Sequence, residues 1–137
     1  MTKKELETYI ESMFGILPDH PFARYPEISV FRHSGNKKWF AAQMTVPKTT
    51  IGMKEDGVID IVNVKCDPEV LRSFHGQPGI YPAYHMNRNH WLTVALDGRV
   101  DDRTMEFLLG ISYDLTKRKN KTGKNSTHDH SDGGNYE

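Results

Sequence analysis

Disulfide bonding within the chain is excluded at once, because there is a single cysteine, Cys66. No apolar run approaches the roughly 20 residues that a membrane-spanning helix needs. Excess charge of one sign is also lacking: 18 Lys and Arg balance 18 Asp and Glu. A strongly basic chain would point to nucleic acid through charge alone. Here any polyanion site must come from uneven placement of balanced charge. No Gly-rich phosphate loop, Walker pattern or dinucleotide fingerprint is found. The opening Met-Thr-Lys-Lys-Glu-Leu carries no apolar stretch of the signal-peptide kind. A cytoplasmic protein is therefore expected.

Apolar content is low, at 36%, and the shortfall is uneven. Residues 120–137 are Lys, Asn, Ser, Thr, His, Asp and Gly with almost nothing to bury. Such a stretch cannot offset its ordering entropy, so a disordered polar tail is expected there. Residues 1–119 are ordinary globular material, enough for one domain with one core.

Thr2 followed by Glu5 forms a capping box, and Leu6, Tyr9, Ile10, Met13 and Phe14 then share one helical face. Gly15 and Pro18 end that helix. From residue 28 the period changes to that of strands. Residues 28–33 and 38–46 flank a Ser34-Gly35-Asn36 turn. Alternation in the second strand puts Phe40, Ala42, Met44 and Val46 on one face. Trp39, Ala41, Gln43 and Thr45 lie on the other. Residues 49–53 read as a short third strand, Glu55-Asp56-Gly57 as a hairpin turn, and 58–65 as a fourth strand. Asp67 and Pro68 suit the N-cap and first turn of a second helix, with Val70, Leu71 and Phe74 inward and Gly76 at its end. A strand over 90–96 ends in the Asp97-Gly98 turn. A last helix capped by Asp101 or Asp102 carries Met105, Leu108, Ile111, Ser112 and Leu115 on its inner side. Successive hairpins imply a mainly antiparallel sheet, hence an α+β fold.

Four pieces carry a family resemblance. They are Lys38-Trp39-Phe40-Ala41, Val64-Lys65-Cys66-Asp67-Pro68-Glu69, Tyr84-His85-Met86-Asn87-Arg88-Asn89-His90-Trp91 and Ser112-Tyr113-Asp114-Leu115. In this order and spacing the chain resembles the MmcQ/YjbR-like family over residues 2–117. Arg88 stands where that family commonly has Lys, which keeps the charge. The resemblance implies a CyaY-like α+β fold, a twisted antiparallel sheet packed against helices. It also implies DNA binding through a double-wing arrangement of hairpins.

Two readings compete for the segment 81–91. In the first it is a nucleic-acid surface: Arg88, Lys65 and Arg72 contact phosphates, His85 and His90 add polar contacts, and an exposed Tyr84 or Trp91 stacks on a base. In the second, Tyr84, Met86 and Trp91 fill core beneath the second helix, while His85, Asn87 and His90 tie down an irregular connection. Lys37 and Lys38 at one hairpin, with Lys48 and Lys54 near the next, suit wing tips or plain solubility. Glu55 and Asp56 count against a uniformly basic second wing.

No metal or cofactor is expected. Cys66 has no cysteine partner, His85 and His90 are separated by an irregular loop, and His128-Asp129-His130 lies in the tail. Glu5, Glu7 and Glu11 are interspersed with Lys3 and Lys4, unlike an iron-binding ridge. Cys66 precedes a helix start that favours a thiolate, but it ends an apolar strand, where cysteine is inert packing. The reading is thus a monomeric, non-enzymatic binding protein with duplex DNA as partner, through Lys37, Lys38, Lys65, Arg72, Tyr84, His85, Arg88, His90 and Trp91. The alternative is a protein- or small-ligand-binding domain with a concave site near Tyr81, Tyr84, His85 and Trp91.

Overall fold

The computed structural model describes residues 1–117, so the expected tail over 120–137 lies outside the described residues. The chain runs through helix α1 (Lys3–Phe14), strands β1 (Ser29–Arg32), β2 (Trp39–Pro47) and β3 (Val58–Lys65), and helix α2 (Pro68–Phe74). Strands β4 (Ile80–Pro82) and β5 (Trp91–Ala95) follow, then helix α3 (Asp102–Lys117). The strands form one sheet in the order β1-β2-β3-β5-β4, every neighbouring pair antiparallel. The fold is α+β.

Helix α1 starts where its capping box requires. The Thr2 side chain accepts from the Glu5 amide, and the Glu5 carboxylate accepts from the Thr2 amide. Leu6 and Ile10 are fully buried, whereas Met13, expected inward, is 57% exposed. Phe14 takes that place, stacked on Tyr113 of α3 with centroids 4.2 Å apart.

Leu6, Ile10, Val62, Val64, Leu92, Val94, Met105, Leu108 and Leu109 pack between helices and sheet. An antiparallel sheet often leaves its other face wet. Here that face holds a second cluster, Val30, Ala42, Met44, Ile59, Ile61 and Ala95, covered by connections that contribute Ile28, Ile51, Met53 and Tyr84.

Simple alternation fails at one point in β2. Phe31 pairs with Ala41 and Arg32 with Trp39, so Phe40 is an extra residue opposite no partner. This bulge flips the pleat. Phe40 and Ala41 both reach the helix-side core, while Trp39 packs with Ala42 on the far side. The expected grouping of Phe40 with Ala42, Met44 and Val46 is therefore corrected. The bulge also ends the β2–β3 ladder at Ala41 and Val64. The next two backbone groups are bridged by α3. The Ser112 hydroxyl accepts from the Lys65 amide at 2.8 Å and donates to the Phe40 carbonyl at 2.6 Å.

Three further expectations need correction. Residues 49–53 do not form a strand: Lys48–Ile51 is a 3-10 turn. Pro47 cannot donate to a continuing ladder, and the Thr50 hydroxyl closes back on its carbonyl at 2.6 Å. Strand β4 was not foreseen, being three residues long and ending in Pro82. On α3 the buried stripe is Met105, Leu108, Leu109, Ser112 and Thr116, and Leu115 is 38% exposed.

Candidate binding surface

The registers decide which ends of the strands lie together. Arg32 pairs with Trp39, Ala41 with Val64, Lys65 with Trp91, and Pro82 with Leu92. One end of the sheet therefore gathers the β1–β2 hairpin, the last residues of β3, and the loop between β4 and β5. Lys37 and Lys38 sit on the hairpin, Lys65 on β3, and His85, Arg88 and His90 on the loop. Four strand spacings separate β1 from β4, roughly 19 Å. The turn falls on residues 34–36 as expected, but the left-handed residue beside it is Lys37, with φ 66°, and not Gly35.

The loop over 83–90 is held from beneath by two buried polar residues. Asn63 donates its side-chain amide to the Tyr84 carbonyl at 3.0 Å, and the Tyr84 amide donates to Thr93 Oγ1 at 2.8 Å. Thr93 in turn donates to Asn63 Oδ1. Neither Asn63 nor Thr93 has any exposure. These bonds satisfy groups that an apolar site would otherwise strand. Farther along, Asn87 accepts from the Asn89 amide, and the His90 carbonyl accepts from Cys66. His85 is exposed with φ 58°, its ring edge-on to Tyr84 at 4.1 Å.

A cleft of about 560 Å³ opens between α2 and β4. Its physical origin is α2, a seven-residue helix with no fully buried side chain, standing off a three-residue edge strand. Leu71, Arg72 and His75 line one wall, Tyr81 and Pro82 the other, with Arg88 and Asn89 at one end and Leu92 beneath. The guanidinium of Arg88 is steadied by its Nε, which donates to the Ala83 carbonyl at 3.3 Å.

The YjbR family model matches residues 11–115, which take in the whole sheet, α2, most of α3 and the last turn of α1. This chain belongs to the YjbR family. It is 32% identical to YyaQ of Bacillus subtilis, covering 85% of this chain and 99% of that protein. It is 34% identical to YjbR of Escherichia coli K12, over 58% of this chain and 70% of that protein. A Pseudomonas syringae crystal structure superimposes with a TM-score of 0.83 at 39% identity, covering 85% of this chain and all of that one. A Deinococcus radiodurans protein with a DUF419 domain gives 0.65 at 26% identity, over 93% of this chain and 88% of that one.

The YjbR fold sorts the expected site residues. Arg72 and Arg88 both line the cleft. Lys65 and His90 belong to the same sheet end but do not line the cleft, and Lys37 and Lys38 stand two to three strands away. Trp91 departs from its expected role. It is 1% exposed and packs with Ala83, Met86 and half-buried Trp39, so its ring offers no free face to a base. That cluster is also separate from the helix-side core, so Met86 and Trp91 do not fill space beneath α2 as expected.

The wings part company as well. Lys48 and Lys54 lie at the opposite end of the nine-residue β2, about 30 Å away by strand rise. Lys48 is paired there with Glu55 at 3.1 Å. Cys66 is 1% exposed, and burial together with the neighbouring Asp67 charge pushes its thiol up to about 12. The helix start beside it does not produce a reactive thiolate. Among the described residues no three His, Cys, Asp or Glu side chains converge as metal ligands. No helix among them is long and apolar enough to cross a membrane. Of the four residues named for a concave site, Tyr81, Tyr84, His85 and Trp91, only Tyr81 lines this cleft, and Asn89, which also lines it, carries no signal in the sequence.

Proposed function

We propose that this YjbR-family chain is a non-enzymatic, monomeric binding protein of the cytoplasm whose target is a polyanion, duplex DNA being the leading class. The observation that carries the reading is the gathering of Lys37, Lys38, Lys65 and Arg88 at one sheet end, from three segments far apart in sequence. Arg72 extends that set across the cleft. A span of roughly 15–20 Å suits duplex DNA, which presents one charge per about 1.7 Å of axis. His85 and Tyr84 supply polar and ring surface between the cations. The acids Asp67 and Glu69 border the set at the start of α2 and limit its strength.

A titration of fluorescently labelled duplex DNA at two salt concentrations tests the proposal. Binding should weaken steeply with salt, since phosphate contacts release counterions. Arg88→Ala should flatten the slope by about one ion, and Arg88→Lys should restore it. Absence of binding at low salt by the wild-type protein refutes the reading.

A further inference from the structure

We propose that the cleft between α2 and β4 binds a small amphiphilic anion: a single phosphate or carboxylate head on a short apolar body. This inference does not rest on the DNA reading. The cleft's size, about 560 Å³, falls within the range of small-molecule sites. No Asp or Glu lines it. Arg72 and Arg88 enter from different elements, and neither pairs with a carboxylate among the described residues. Arg88 uses its Nε on the Ala83 carbonyl, which leaves its terminal nitrogens, with those of Arg72, for an anionic head. Two guanidiniums suit phosphate or carboxylate better than any neutral group.

The rest of the cleft is apolar. Leu71, Ile80, Pro82 and Leu92 face it, and such a floor favours a hydrocarbon or ring over a bare ion. A peptide strand added along β4 is a poorer occupant. The Ile80 amide is already spent on the Gln77 carbonyl at 3.0 Å, and Pro82 has no amide to donate. The edge thus lacks the outward donors that strand addition uses.

The test is a backbone amide NMR titration of the full chain with octyl phosphate, kept below its micelle-forming concentration. Inorganic phosphate and octanol serve as separate probes. Saturable shifts confined to residues around Arg72, His75, Tyr81 and Asn89 are expected, with affinity at least about tenfold above either half-ligand. Arg72→Gln and Arg88→Gln should each lower that affinity severalfold while leaving distant amides unmoved. Lys37→Ala with Lys38→Ala, remote from the cleft, should weaken DNA binding and leave octyl phosphate unaffected. No shift at the cleft overturns the proposal. So does equal binding of octanol or phosphate alone, or a response centred on exposed Met13 and Leu17.

Discussion

Replacing Ser112 by Ala should destabilise this domain far more than the loss of one hydroxyl suggests. The bulge at Phe40 pulls β2 away from β3, and the Ser112 side chain fills the gap with two bonds of 2.8 and 2.6 Å. Alanine removes the bond that Ser112 makes to each of the Lys65 amide and the Phe40 carbonyl. Removing one partner of a buried group costs about 1–3 kcal/mol. Phe40 is fully buried and Lys65 half-buried, so water recovers part of the second bond. Alanine's better helix propensity returns about 0.5 kcal/mol. The expected net loss is about 2–4 kcal/mol, or roughly 8–15 °C in melting temperature for a domain of this size. Urea unfolding followed by tryptophan fluorescence measures it, with Asp114→Ala, exposed on the same helix, as the reference. That reference should stay within about 0.5 kcal/mol of wild type. Faster hydrogen exchange at the Lys65 amide should accompany the loss. A Ser112→Ala protein as stable as the reference would refute the account of the bulge.

Leu108, buried without exposure between α3 and the sheet, should cost about 2–5 kcal/mol on conversion to Ala, read from the urea midpoint at unchanged slope. Cys66 should resist iodoacetamide at pH 8 in the folded protein and react only on unfolding. Its raised folded value, about 12, means the folded state holds a proton that the unfolded state has released. Stability should therefore fall as pH rises from the ordinary thiol value towards 12, and Cys66→Ala should flatten that limb. Asp101 caps α3 by accepting from the Thr104 amide at 2.8 Å, which holds its carboxyl below the ordinary value. Its contribution is present above the unfolded value and lost as pH falls through the folded one. Protection from amide exchange in the first turn of α3 should thus fall on acidification in the wild type and show no such step in Asp101→Asn, whose cap does not titrate.

Much of this architecture is written in local chemistry. The Thr2–Glu5 box, Asp67-Pro68, Asp101 and the turn glycines act within a few residues, and the helices begin where those signals place them. What depends on distant partners is not legible in the same way. The bulge at Phe40 exists because Ser112, far along the chain, satisfies the broken ladder, and no alternation pattern reveals that. Thr116 is not among the inner residues expected on α3, yet it is buried against His33, 2.8 Å from its ring. Since the Thr116 hydroxyl donates to the Ser112 carbonyl, the His33 Nε2 must donate to Thr116.

The candidate site shows the same division. Charged residues were visible one by one, but their grouping required the sheet registers. Those registers bring Lys37, Lys38, Lys65 and Arg88 to one end and send Lys48 to the other. Residue type alone allows Trp91 either packing or stacking, because both uses want a large flat ring. Strand pleat decides between them. Leu92 faces the helices, so Trp91 turns to the opposite side and closes over Met86.

The most direct test of the central claim is a map of backbone amide shifts as unlabelled duplex DNA is added at low salt. Shifts at Lys37, Lys38, Lys65 and the loop around Arg88, disappearing as salt is raised, are the predicted result. An unchanged spectrum, or shifts clustered around Lys48 and Glu55 at the far end of the sheet, would contradict it.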